Sequence, residues 1–183
     1  MEPLMELLTG KDAATRIAGM ISPKYQVHGY AVDLTVKNIY AVDPVGQVDF
    51  GGSEYRGAER IPIVAQSRRA EDKYRWWDLS RGAYFVEFNE ALELAANEFA
   101  LLEPAERLLR AGAGHGSVTL RGHVAPVEML LDVDSHRIQI KQNARISQVR
   151  LFRFVSAAPE TAPLSKTITV KATKPSRKGK KRK

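Results

Sequence analysis

Ile146-Ser-Gln-Val-Arg-Leu-Phe-Arg-Phe-Val155 alternates strictly. Ile146, Gln148, Arg150, Phe152 and Phe154 fall on one face of an extended chain, and Ser147, Val149, Leu151, Arg153 and Val155 on the other. Successive side chains of a strand point to opposite sides, so this period of two predicts a long strand with two chemically distinct faces. The same texture recurs upstream. Tyr30 to Val42 (YAVDLTVKNIYAV), Arg60 to Gln66 (RIPIVAQ), Gly82 to Leu94 (GAYFVEFNEALEL), Gly116 to Val133 and Arg137 onward are rich in β-branched and aromatic residues. Gly, Pro, Asp and Asn bound these runs, as strand ends require. The sequence therefore predicts a mostly β domain over residues 23–155.

Helical signals are few. Leu4, Leu7 and Leu8, then Ala13, Ile17 and Met20, recur at spacings of three and four, which predicts helices over Pro3–Leu8 and Asp12–Met20. Residues 1–22 thus read as a short N-terminal helical appendage. Glu103 to Gly112 (EPAERLLRAG) places proline at the start, helix formers in the middle and glycine at the end, the asymmetry of one short inserted helix. No strand–helix alternation of the doubly wound type is present.

The 183 residues include 28 Lys+Arg and 21 Asp+Glu, a formal net charge of +7. The excess sits in one place. Lys171 to Lys183 (KATKPSRKGKKRK) holds eight of the cations and no acid, which leaves 20 basic against 21 acidic residues in the rest of the chain. This tail has no large apolar side chain to offset the entropy of ordering, so it is expected to be disordered. Lys174, Arg177, Lys178, Lys180, Lys181, Arg182 and Lys183 are its candidate contacts to nucleic acid or an acidic partner. Residues 156–170, with two prolines and many small residues, read as a linker.

The chain has no cysteine, which excludes a disulfide framework, a thiolate nucleophile and Cys-ligated metal. There is no apolar run of about 18 residues and no basic leader, so a cytoplasmic protein without a membrane segment is expected. Generic motifs are equally sparse. Ala111 to Ser117 (AGAGHGS) lacks the lysine of a phosphate-binding loop, and His28, His115, His123 and His136 include no pair at metal-ligating spacing. Trp76-Trp77 either stack on bases or divide between a core and an interface.

Several segments taken in order resemble the dUTPase/dCTP deaminase family, especially its deaminase-like archaeal and bacterial branch. Tyr30-Ala-Val-Asp-Leu-Thr-Val36 is similar to the first motif, with Asp33 at its acidic position. Gly82 to Leu94 resembles the strand pair before the second motif. Pro104 with Leu108-Leu109-Arg110-Ala-Gly112 resembles the second motif, and Asn143-Ala-Arg-Ile-Ser-Gln-Val149 the penultimate one.

The resemblance implies a β-clip barrel, usually a homotrimer with sites at subunit interfaces. It also implies a magnesium-bound deoxynucleoside triphosphate as ligand, with dUTP hydrolysis or dCTP deamination as the chemistry. Carried over residue by residue, it makes Arg107, Arg110, Gly112 and Gln148 nucleotide-binding candidates and gives Asp33 a place near magnesium through water.

The chain departs from the pattern where chemistry is done. Ala105, Glu106 and Arg107 align with an Arg-Ser-Ser that holds phosphates, so two hydroxyls are lost and a carboxylate gained. Leu120 aligns with the aspartate that activates water in dUTPases, and His123 with an aromatic residue. The deaminases' glutamate falls near Leu130, with Glu128 two residues away. Asp33, Glu128 and His123 are accordingly the catalytic candidates. Two readings stand: a divergent nucleotide enzyme, or an inactive trimeric binding protein that works through its basic tail.

Overall fold

The computed structural model describes residues 4–42 and 46–155. In chain order the elements are β1 (Met5–Leu7), α1 (Gly10–Ala14), β2 (Ile17–Ala18), α2 (Pro23–Gln26), β3 (Val32–Val42), β4 (Arg60–Pro62), β5 (Trp76–Phe88) and β6 (Ala91–Glu93). There follow β7 (Glu98–Pro104), α3 (Glu106–Arg110), β8 (Ala113–Gly114), β9 (Val118–Leu120), β10 (His123–Val124), β11 (Glu128–Lys141) and β12 (Arg145–Phe154). One large sheet runs β8-β11-β5-β3-β12-β7-β9, with β1 on β12 and β4 on β3. A small sheet, β10-β6-β2, sits beside it. The large sheet curls into a half-barrel of the β-clip kind. No helix among the described residues is long and apolar enough to cross a membrane.

From Ser147 onward β12 behaves as its alternation dictates, while Ile146, beside a register irregularity, is buried as well. Ser147, Val149 and Leu151 are buried on the core side, while Gln148, Arg150, Phe152 and Phe154 are half-buried on the other. There Phe152 stacks on Phe99 of β7 with ring centroids 5.0 Å apart. β3 joins the two halves of the sheet: Val32 to Thr35 pair with β12, and Val36 to Ala41 with β5, across an irregularity at Val36–Asn38. Val32, Leu34, Val36, Phe88, Leu102, Leu131, Val149 and Leu151 are all at most 2% exposed and make the centre of one core. Burying each such side chain contributes roughly 1.5–3 kcal/mol before entropy is counted.

The N-terminal segment departs from the sequence expectation. Pro3–Leu8 was expected as helix, yet Met5–Leu7 is a strand, paired with Phe152 to Phe154. β3 has diverged from β12 by that point, leaving an edge with unpaired backbone groups, and pairing there outweighs the helical spacing of the leucines. Of the expected helix Asp12–Met20 only Asp12–Ala14 is helical, as the end of α1 (Gly10–Ala14), and Ile17–Ala18 forms β2 on β6. Leu8, Ala13 and Ile17 are buried in the common core, so this segment is packed against the β domain. Arg16 ties it down further, because its guanidinium meets the buried Glu98, which Arg153 of β12 also grips.

The stretch expected as linker (156–170) and the basic tail with Lys174, Arg177, Lys178, Lys180, Lys181, Arg182 and Lys183 lie outside the described residues.

Candidate functional site

Asp33 and Gln148 are direct cross-strand partners on β3 and β12. β7, on the other side of β12, runs into Pro104, and the chain turns there into α3. The amide of Ala105 donates to Ile146 O at 2.9 Å, which fixes the start of α3 against β12. These constraints open a cleft of about 310 Å³ lined by His28, Asp33, Ala105, Glu106, Arg107, Arg110 and Gln148. The structure therefore gathers Asp33, Arg107, Arg110 and Gln148, four residues marked by sequence, around one concavity.

Asp33 is 6% exposed. Its Oδ2 meets His28 Nε2 at 3.0 Å and Arg145 Nη1 at 3.1 Å. Arg145 also donates to the carbonyl of Tyr25. The backbone of β3 is held from beneath: the buried side chain of Gln26 donates to Asp33 O at 2.9 Å and to Glu90 at 2.7 Å. Glu90 in turn accepts from the amide and hydroxyl of Thr35. Burial pushes the Glu90 carboxyl above its ordinary value even though these donors oppose it. A fully partnered buried network of this kind fixes the position of Asp33.

His28 and Arg145 were not singled out as site residues by sequence. His28 reaches Asp33 because residues 28–31 form a tight turn, closed by His28 N donating to Ala31 O at 2.9 Å and by the Val27–Val32 bridge. α1 packs on this turn at van der Waals limit: a Cβ on Gly10 would lie 1.8 Å from His28 O, so only glycine fits there. The signal available in sequence was the turn-forming His28-Gly-Tyr-Ala31 immediately before the strand that carries Asp33.

On α3, Arg110 pairs with Glu106 at 2.6 Å, with both side chains mostly exposed. Such an i,i+4 pair contributes only about 0.3–0.5 kcal/mol, so Arg110 is easily redirected to an anion. Arg107 has no carboxylate within ion-pairing distance among the described residues. Gly112 serves the backbone. Its φ of +82° ends α3, its carbonyl accepts from the amides of Asp134 and Ser135, and a Cβ would lie 2.6 Å from Ser135 Cβ.

Glu128 and His123 lie elsewhere in the chain. Glu128 opens β11, pairs with Arg60 and stands opposite Glu87 of β5. Burial raises the Glu87 carboxyl, but donors on Asn38, Lys37 and Tyr40 outweigh it and hold the group below its ordinary value. His123 on β10 is exposed and contacts Glu93 of β6. Leu120 is half-buried on β9, opposite Ala100 of β7, and packs on the core. None of the three lines the Asp33 cleft. Among the described residues no cluster of three or more His, Asp or Glu could hold a metal ion by itself.

No family model matches the chain. A probable deoxyuridine 5'-triphosphate nucleotidohydrolase of Methanosarcina acetivorans is 31% identical over 137 residues, which cover 74% of this chain and 77% of that protein. The chain belongs to the dUTPase/dCTP deaminase-like family. The protein of the same description from Methanosarcina mazei is 29% identical over 134 residues, covering 72% and 75%. Among solved structures, the 2'-deoxycytidine 5'-triphosphate deaminase of Agrobacterium tumefaciens superposes with a TM-score of 0.59 at 16% identity. The match covers 81% of this chain but only 48% of the deaminase, so it establishes the shared fold. Family members are nucleotide-metabolising proteins by description, and the cleft lies where the family-like segments converge.

Proposed function

We propose that the Asp33 cleft binds the phosphates of a deoxynucleoside triphosphate, with dUTP and dCTP as the candidates, and that turnover there is slow or lost. The observation that carries this reading is the convergence of Arg107, Arg110 and Gln148 opposite Asp33 in one cleft. Two guanidiniums present planar arrays of donors suited to phosphate oxygens. The Gln148 amide adds a neutral donor.

Magnesium fits the residues present in a limited way. Asp33 Oδ2 is taken by His28 and Arg145, while Oδ1 accepts no hydrogen bond from the described residues. Asp33 would hold the ion through water, with phosphate oxygens completing the sphere, which is how magnesium is commonly bound beside few carboxylates. When bound, the ion neutralises charge on the phosphates.

Weak catalysis follows from what stands at the aligned positions. Ala105 stands at the family's arginine, Glu106 and Arg107 replace the two phosphate-binding hydroxyls, and Leu120 at the water-activating position packs against the core outside the cleft. Loss of a general base costs about 10²-fold to 10⁴-fold in rate. A second reading, in which activity persists, is favoured by the His28–Asp33 contact, since an imidazole oriented by a carboxylate can take a proton from water. The family's trimeric arrangement is part of the proposal, and it would allow Glu128 or His123 of a neighbouring copy to approach the cleft. An inactive trimer acting through its tail is the alternative.

The test is to incubate the purified chain with magnesium and dUTP or dCTP, measuring nucleotide binding together with diphosphate and ammonia release. Binding that Arg107→Gln and Arg110→Gln weaken, with little turnover, supports the main reading. Turnover at ordinary enzyme rates that His28→Gln lowers by at least 10²-fold supports the second. Absence of nucleotide binding overturns both.

A further inference from the structure

The adjacent tryptophans of β5 part company. Trp77 is 3% exposed, in the core, and its indole N–H donates to Ile63 O at 2.8 Å. Trp76 is half-buried at the surface and carries cations. The Arg68 guanidinium lies 3.8 Å from the Trp76 ring centroid, and Lys141 Nζ lies 5.3 Å from it. The Lys141 ammonium is also 5.6 Å from the Tyr74 ring. Arg68 is steadied by a hydrogen bond to Gln139. Neither cation has a carboxylate within ion-pairing distance among the described residues, and Asp78 beside them is engaged by Arg137.

The space around Trp76 is open and continuous. A cleft of about 380 Å³ has Ile63, Val64 and Trp76 as apolar walls, Gln66, Ser67 and Gln139 as polar ones, and Arg68 and the Arg137-paired Asp78 as charged ones. A groove of about 300 Å³ shares Trp76 and Gln139 with it, is floored by Ile138, Ile140 and Ile146, and extends to Arg107 and Arg145. Arg107 also lines the Asp33 cleft. Three concavities therefore share walls in sequence, with Arg68, Lys141 and Arg107 as cations without carboxylate partners along them. Although the chain without its tail has almost no net charge, this surface concentrates positive charge around half-buried aromatic rings, with the Arg68 guanidinium lying on Trp76.

We propose that this track binds single-stranded nucleic acid, with a base on Trp76 and flanking phosphates at Arg68 and Lys141. Unpaired bases offer ring faces to aromatic side chains, and the backbone follows a line of cations. The side-chain amides of Gln66 and Gln139 supply both donors and acceptors for base edges. A duplex keeps its base faces stacked away from Trp76. A free nucleotide would fill one concavity and leave the remaining cations unused. The contacts at Trp76, Arg68 and Lys141 are independent of nucleotide binding at Asp33, and Arg107 alone is shared with that cleft.

The test uses the full chain and a fluorescein-labelled twelve-residue oligo-dT, read by anisotropy across salt concentrations. A second full-length form carries Lys178→Gln, Lys180→Gln, Lys181→Gln and Lys183→Gln to reduce binding by the tail. In both backgrounds Trp76→Leu is expected to weaken binding about 5-fold to 150-fold, while Trp76→Phe keeps most of it. Arg68→Gln with Lys141→Gln, both on the surface, is expected to weaken it at least 10-fold and to lower the salt slope by about 1.4. Binding unchanged in the Trp76→Leu and double variants would overturn the proposal. So would a duplex or free dTTP competing as effectively as the unlabelled single strand.

Discussion

At the scale of single residues, Glu106 and His28 separate what the cleft can bind from what it can do. Glu106 places a carboxylate among groups that would face phosphate, and it occupies Arg110 through an exposed pair. Glu106→Ser removes that repulsion, frees Arg110 and restores a hydroxyl. Isothermal titration with magnesium-dUTP and magnesium-dCTP should show affinity rising about 3-fold to 10-fold, in keeping with roughly 1 kcal/mol for an exposed charge interaction. Unchanged affinity would mean that phosphates do not approach α3. His28 stands apart because its partner Asp33 is nearly buried while the imidazole remains half-exposed. In the second reading proposed above, it is the residue that would bring a proton acceptor into the cleft.

At the scale of elements, two contacts tie neighbouring segments of the sheet together. Glu98, at the start of β7, binds Arg16 before β2 and Arg153 on β12. Burial pushes its carboxyl up, but Arg16 and Arg153 more than reverse this and bring it from 4.5 down to about 2. Because the folded value is depressed, the stabilisation is complete above the ordinary carboxylate range and is lost as pH falls from about 4.5 toward 2. Glu98→Gln should cost about 3 kcal/mol at neutral pH. Thermal melts of the two proteins should converge across that acid window, and a constant difference would count against the assignment. The second contact is the end of α3. Gly112→Ala places a Cβ on a residue with φ +82° and drives it into Ser135, so a loss of about 2–4 kcal/mol in a urea melt is expected. Gly112→Ala together with Ser135→Gly should recover the steric part alone.

At the scale of the whole molecule, the proposed trimer brings together parts that one chain leaves apart. Sizing with light scattering is expected to give three chain masses, and a monomer at micromolar concentration would remove the shared-site arrangement. The alternation of residues 146–155 was enough to give β12 and its two faces, since a period of two encodes which side of a sheet is apolar. Gly, Pro and β-branched punctuation gave the mostly β class. The ordered segments around Asp33, Arg107, Arg110 and Gln148 gave the family and four members of the cleft, and the separation of tail charge from body charge was likewise legible from residue counts. Other features depended on register and packing between distant segments. Met5–Leu7 is a strand because β12 has a free edge there, whatever the spacing of its leucines. Arg145 reaches Asp33 across 112 positions of sequence, and Glu128 meets Arg60 across 68. Local pattern determines which face of each strand is buried. Which distant polar side chains then meet is decided by how the strands pair, and that is how Asp33 acquired Arg145 and how Glu128 and His123 came to lie outside the cleft.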